Sequence, residues 1–293
     1  MKWVDALLFL SMATFWSLNY IFLKIALAFQ GPFFILTLRV IFALIFTILL
    51  FFNRLGRPSS HKSILKILIF GSLNLTLFMS FWFIGETIVS AGLSAILVYT
   101  YPLFVVILSR LFLHERLNRM SITGLVVGFL GVIIIFSNSS ISGTTLGMVL
   151  LVMAALSWAS GTIFYKRFLS GENLWTVNTL QYIFAIPVVF AMSILTGGIN
   201  TSEILNPTFL MIVIYMGSLG TAVAYTIYLF LYRRFKAASI SSFFYTVPAL
   251  SLLYGHFIIS EREGLQTILG FVVISIGILL SSRSVVKEES INK

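Results

Sequence analysis

Apolar runs of about 20 residues recur along this chain, each closed by a short break of charge, Gly, Pro, Asn or Ser. Wound at about 1.5 Å per residue, a run of that length crosses a hydrocarbon layer about 30 Å thick. Breaks such as Gln30-Gly31-Pro32 and Asn53-Arg54-Leu55-Gly56-Arg57-Pro58 divide the sequence into predicted helices over about 4–28, 33–52, 63–84, 87–109, 121–137, 147–168, 174–196, 207–232, 238–259 and 264–282. Composition points the same way, with 59% apolar and 10% charged residues, against about 45–50% and about 25% in a typical soluble domain. The expected fold is an all-α polytopic membrane protein with ten transmembrane helices in a lipid bilayer. With no cysteine and three scattered histidines, neither metal-ligand spacing nor thiol chemistry is present, and no cofactor is expected.

The formal charge of +10 encodes orientation. When alternate breaks are assigned to one side, all 19 basic residues except Lys24, Arg39 and Arg262 fall there, while Glu86, Glu203, Glu261 and Glu263 fall opposite. The positive-inside rule then places both termini in the cytoplasm, as in a multi-pass protein of the inner or plasma membrane. The basic residues are thereby accounted for without a nucleic-acid partner. The first apolar run ends at Ala26-Leu27-Ala28, like a secretory signal, but it exceeds the usual length of about 7–15 residues. It is expected to stay as the first helix.

The chain also repeats itself. Ala13, Trp16, Ile21, Phe22 and Lys24 recur 142 positions on as Ala155, Trp158, Ile163, Phe164 and Lys166; Arg39 then stands opposite Gln181. Further along the shift is 146: Gly71-Ser72-Leu73 returns as Gly217-Ser218-Leu219, Tyr99-Thr100-x-Pro102 as Tyr245-Thr246-x-Pro248, and Glu115-Arg116 as Glu261-Arg262. The expected units are residues 1–140 and 141–293, each of five helices. Because five is odd, the two units insert with opposite orientation. Inverted units can exchange conformations and expose a midplane site to each side in turn, which is alternating access for a small-molecule substrate and needs no catalytic residue.

These features resemble the drug/metabolite transporter superfamily in its EamA branch: paired five-helix units, a Trp eight residues before a Lys in the first helix of each, a Pro in the fourth, and Glu-Arg after it. The resemblance implies ten helices around a central cavity lined by the first four of each unit, with the fifth and tenth outside. It also implies transport, often outward, of amino acids and other metabolites, and not an enzyme.

Candidate substrate-binding residues follow from helical spacing and polarity. Trp16, Asn19 and Tyr20 lie along one side of the first helix, with Trp158 at the corresponding place in the sixth. Asn74, Phe78 and Trp82 form a stripe on the third, and Tyr225 lies on the eighth. Asn74 and Gln181 serve equally well as substrate contacts or interhelical bonds. Arg39, about two turns inside the second helix, must pair, snorkel or face water. Lys24 and Lys166 either snorkel to the headgroups or join Arg39 as an anion site. Tyr99 and Tyr245 precede Pro102 and Pro248, where kinks and hinges are expected. Glu115-Arg116 and Glu261-Arg262 are candidate ion-pair gates at opposite faces. Gly124, Gly128, Gly131, Gly270 and Gly277 permit close packing, expected within a monomer rather than a dimer. No carboxylate is placed in a helix centre, so no coupling ion is visible. The expected function is movement of small metabolites, foremost amino acids, across the cell membrane. The alternative is an exchanger of phosphorylated or carboxylated anions using Arg39 and Lys24.

Overall fold

In a computed structural model, residues 3–114, 119–136, 142–235, 237, 244 and 246–291 are described, and they are helical almost throughout with no strand among them. The helices are α1 (Trp3–Ala26), α2 (Pro32–Phe51), α3 (His61–Gly71), α4 (Phe78–Ile88), α5 (Ala91–Val98), α6 (Tyr101–Phe112) and α7 (Arg119–Phe136). They continue with α8 (Ser142–Phe168), α9 (Leu174–Thr196), α10 (Pro207–Gly217), α11 (Ala224–Arg234), α12 (Thr246–Ile259) and α13 (Leu265–Ile291). α3 runs into α4 through a π-helical turn at Ser72–Leu77, and α10 into α11 through another at Ser218–Val223, 146 positions later. Among the described residues, 7 helical segments are long and apolar enough to cross a membrane, and Ile122–Ile135, Thr246–Ile259 and Leu265–Leu280 are shorter apolar helices. The chain is a polytopic helical membrane protein. Leu49, Leu195 and Met211 are among the large apolar side chains left exposed on its outside, where a bilayer replaces water as solvent.

Local chemistry sets the helix ends. Ser60, Ser90, Asn173 and Asn206 each accept a backbone N–H in the first turn of α3, α5, α9 and α10. Gly197 closes α9 at φ 65, a left-handed conformation that Gly adopts without a Cβ penalty. Two details differ from expectation. The third helix continues past residue 84 to Ile88 because nothing breaks it before the capping Ser90; Glu86, expected in a connection, is thus inside a helix. The Pro102 region is also not a kinked continuous helix: α5 stops at Val98 and α6 restarts at Tyr101, so Pro102 sits in a first turn where its missing N–H leaves no bond unmade. Pro248 is the third residue of α12 (Thr246–Ile259), and among the described residues Pro187 lies inside α9.

Packing interleaves the two ends of the sequence. α1 lies against α11 and α12, α8 against α4 and α6, and α2 against α9. α7 and α13 pack chiefly on each other. Their glycines meet there: a Cβ on Gly277 would overlap the Gly128 backbone, and one on Gly131 would strike Gly270 and Ile274. The glycine stripe is used inside the chain, as expected. This leaves α1 to α6 and α8 to α12 to build the interior.

Candidate functional site

The interior holds an aromatic chamber lined by Trp16, Tyr20, Arg39, Phe78, Met79, Trp82, Tyr99, Trp158 and Tyr225. The i, i+4 spacing on α1 brings Trp16 and Tyr20 to the same wall, and α4 supplies Phe78, Met79 and Trp82 directly after its π turn. Trp158 of α8 stands edge-on to Trp16 at 5.3 Å between ring centroids and stacks on Phe78 at 5.0 Å and Tyr101 at 4.0 Å. Tyr20 meets Trp82 at 4.6 Å. The free volume is about 10 Å³, about what one water needs and far below the roughly 300 Å³ at which small-molecule pockets begin. The chamber is closed to anything larger than a water.

Arg39 is the charged residue of that wall, 1% exposed. Its Nε donates to Thr221 Oγ1 at 2.8 Å, its Nη2 to Gly220 O at 3.4 Å, and its guanidinium lies 5.1 Å from the Trp82 ring centroid. Thr221 and Gly220 belong to the α10–α11 π turn, which presents them to α2. Arg39 Nη1 has no partner. Such a group is ready to take a carboxylate or phosphate oxygen.

Of the side chains singled out in the sequence, Trp16, Tyr20, Arg39, Phe78, Trp82, Tyr99, Trp158 and Tyr225 come together here. Asn19, Asn74 and Gln181 are buried but do not line the chamber; they hold helices together. Asn19 Nδ2 donates to Gly220 O at 3.1 Å, Asn74 Nδ2 to Gln181 Oε1 at 3.1 Å, and Gln181 Nε2 to Asn178 Oδ1 at 2.5 Å. An amide in an apolar bundle takes whichever partner is nearest: a neighbouring helix for Asn19 and for the Asn74–Gln181 bond, and a residue of the same α9 for Gln181 Nε2. Tyr245, Glu115 and Arg116 lie outside the described residues. Met79 and Phe244, not anticipated, are legible afterwards as neighbours of Phe78 and Tyr245; Phe244 packs on Trp16 at 5.6 Å and on Trp158 at 5.9 Å.

Neither lysine snorkels freely. Lys24 Nζ donates to Val89 O at 2.6 Å and Glu86 O at 3.1 Å, capping the C-terminus of α4, and Lys166 Nζ donates to Phe235 O at 2.5 Å beyond α11. The two acceptors, Val89 and Phe235, are again 146 positions apart. At the Lys24 end the loop between α12 and α13 adds two carboxylates at the start of α5. Glu261 accepts from Ala91 N at 3.0 Å and Gly92 N at 3.1 Å, while Glu263 accepts from Leu93 N at 3.2 Å and from the Ser90 hydroxyl. Glu261 therefore meets a helix N-terminus instead of forming the ion pair expected with Arg262. Burial pushes the Glu263 carboxyl above its usual range, the Ser90 hydroxyl holds it down, and the like charge of Glu261 adds to the rise. Outside this layer an open depression of about 610 Å³ is lined by Lys24, Gln30, Gly31, Gly198 and Asn200.

At the Lys166 end the seal is made of hydroxyls. Tyr101 Oη lies 2.6 Å from Tyr232 Oη and 2.9 Å from Thr162 Oγ1, which lies 2.6 Å from Tyr228 Oη. Arg234 pairs there with the buried Asp5 at 2.8 Å.

Sequence reasoning missed Glu86. It is fully buried, accepts from Trp82 Nε1 at 2.5 Å and from Ser94 Oγ at 2.7 Å, both at Oε2, and its Oε1 has no partner. Gly85 beside it reads as a break, but the helix runs on to Ile88, so this buried carboxylate lies in the last turn of α4 and not in a helix centre. Among the described residues no group of three His, Asp or Glu could hold a metal ion.

Comparison with known proteins gives the family and the fold. The EamA-like transporter family model matches residues 3–137 and 145–283. The chain is 29% identical to an uncharacterised transporter of Archaeoglobus fulgidus over 96% of its own length and 99% of that protein. It is 28% identical to a probable amino-acid metabolite efflux pump of Escherichia coli over 94% of both, and 24% identical to the uncharacterised transporter YoaV of Bacillus subtilis. A solved crystal structure superposes with a TM-score of 0.72 at 15% identity, covering 99% of this chain and 100% of the other, which is a likeness of fold. A closed chamber inside a lipid-facing helical bundle, matched by one family model over nearly all of its length, identifies a transporter rather than an enzyme: the chain belongs to the EamA-like transporter family.

Proposed function

We propose that the chain moves amino acids across the cell membrane by alternating access, with the aromatic chamber as the substrate site. The observation that carries this reading is Arg39: a buried cation with an unpartnered Nη1, set in the wall of an otherwise apolar and aromatic chamber. A carboxylate on Arg39 and an apolar side chain against Trp16, Trp158 and Phe78 match what the walls offer. The Escherichia coli relative named as a probable amino-acid metabolite efflux pump supports the same substrate class.

Residues 1–140 and 141–293 act as two inverted units in this reading. The matching π turns and the paired Lys24 and Lys166 contacts support it, since each unit would then carry one lysine-capped gate. The basic residues put both termini in the cytoplasm. The Lys24 end is then extracellular or periplasmic and the Lys166 end cytoplasmic. Exchange of phosphorylated anions is less favoured, because Lys24 and Lys166 are engaged with backbone carbonyls and leave Arg39 alone.

Proteoliposomes loaded with an amino-acid mixture test the proposal by counterflow of each labelled amino acid. The expected result is saturable exchange, lost on Arg39→Gln; counterflow of phosphate esters in place of amino acids would contradict it.

A further inference from the structure

We infer that a cavity outside the chamber, at its Lys166 end, is a binding site for an anionic phospholipid, with an acyl chain in the cavity and the phosphate on Arg167. The inference does not use the substrate proposed for the chamber, with which this cavity shares no lining residue.

The site follows from residue spacing on two packed helices. Leu108 and Phe112 of α6 and Phe164 and Phe168 of α8 are i, i+4 pairs, and both pairs line the cavity where α6 packs on α8. Its volume of about 360 Å³ falls within the range of small-molecule pockets, which begins at roughly 300 Å³. The wall reaches along α8 from Ser160 to Arg167, about 10 Å of helix. Phe112 and Phe168 are exposed on the outside of the bundle, where a bilayer offers hydrocarbon chains in place of water. An acyl chain is therefore what meets this apolar wall.

Charge at the mouth selects the lipid. Arg167 Nη1 donates to Phe112 O at 2.9 Å, which uses one of the five N–H donors of a guanidinium. The planar fork suits a phosphate, which it can hold through two parallel bonds. Lys66 of α3 brings a second cation to the same ring: its Nζ lies 5.7 Å from the Phe168 centroid, and the Arg167 guanidinium 5.2 Å. The lining residues include no carboxylate. Glu172, the acid that Lys66 acts on, has its carboxylate bonded to the Ser59 and Ser63 hydroxyls. A headgroup of net negative charge thus meets two cations, whereas phosphatidylcholine carries a quaternary ammonium that offsets its own phosphate. In the orientation proposed above, these residues face the cytoplasmic leaflet, whose surface potential is set by anionic lipids.

Native mass spectrometry of the full chain in detergent, titrated with dioleoylphosphatidylglycerol or dioleoylphosphatidylcholine, tests the inference. The wild type is expected to bind phosphatidylglycerol about tenfold or more tighter than phosphatidylcholine, and Arg167→Gln should remove that preference, a change on the scale of one charge-assisted bond. Lys66→Gln leaves the bond to Phe112 O in place and should narrow the preference about fivefold, the scale of one lysine near an anionic surface; it decides the matter if Arg167→Gln does not fold. Ser160→Phe keeps every charge but fills the cavity, and should weaken binding of both lipids. Arg57→Gln, at a basic residue that does not line the cavity, should change neither. Thermal midpoints measured without added lipid separate lost binding from lost folding in each variant. Equal binding of the two lipids by the wild type, or an unchanged preference in a folded Arg167→Gln or Lys66→Gln protein, would overturn the inference. So would an equal loss in Arg57→Gln, which would mean diffuse surface charge. Glycerophosphoglycerol, the same headgroup without acyl chains, should not compete at matching concentration; competition as strong as that of the lipid would make this a free-phosphate site and overturn the inference. Amino-acid exchange is measured separately, so its presence or absence leaves each of these outcomes readable.

Discussion

Single side chains in this protein divide by whether their polar atoms are already bonded. Asn74 and Gln181 bond each other and Asn19 bonds the Gly220 carbonyl, whereas among the described chamber residues Arg39 Nη1 and Trp158 Nε1 keep unpartnered N–H groups. Arg39→Gln is expected to lower the counterflow rate at subsaturating substrate about tenfold or more, the scale of a lost charge-assisted bond. Arg39→Lys should recover little of it, because a compact ammonium lacks the planar fork whose Nε and Nη2 hold Thr221 Oγ1 and Gly220 O while Nη1 points elsewhere. Asn19→Ala should act instead on stability, lowering the thermal midpoint in detergent while the affinity of the folded fraction is kept. The aromatic half of the site was legible because Trp16 with Tyr20 and Phe78 with Trp82 obey helical spacing. The polar half was not: an amide in a membrane helix serves glue or substrate equally well, and only three-dimensional neighbours decide between them. Glu86 was hidden by a boundary error of four residues.

Among the elements, the two π turns matter most, because each widens a helix where another helix crosses it. Ser218–Val223 presents Gly220 to Asn19 and Thr221 to Arg39, and Ser72–Leu77 presents Asn74 to Gln181. No sequence pattern announces a π turn; repetition of Gly71-Ser72-Leu73 as Gly217-Ser218-Leu219 marks its start without revealing its geometry. In the proposed cycle the helix ends carry the gates. Lys24→Met should free the α4 C-terminus and favour opening at that end, and Lys166→Met should favour the other; hydrogen exchange of the amides following Val89 and Phe235 reads each change separately. The Glu263 carboxyl, raised by burial in the closed state, holds its proton there more tightly than in an exposed, open state. Closure at the Lys24 end is therefore favoured as pH falls into the range just above the usual carboxylate value and weakens as pH rises through it. Glu263→Gln should remove that pH dependence from hydrogen exchange at Leu93.

For the whole molecule, the crossings of α1 with α11 and α12 and of α8 with α4 and α6 make the chamber a product of both ends of the sequence, while α7 and α13 stand aside as a pair. That division was readable in outline, since the repeat predicted which helices correspond, but not which would touch. A bulky side chain in the glycine seam should accordingly cost stability and spare the site: Gly277→Leu is expected to destabilise by about 1–3 kcal/mol through overpacking and to leave the exchange rate per folded molecule unchanged. The account as a whole stands on the chamber opening to each side in turn. The chain contains no cysteine, so Met79→Cys places a single thiol in the chamber wall. Its reaction with a membrane-impermeant maleimide, measured in right-side-out and in inside-out vesicles, tests that claim most directly. Alternating access predicts labelling from both faces, slowed by saturating substrate in each case; labelling from one face alone, or from neither, in vesicles that exchange amino acids would contradict it.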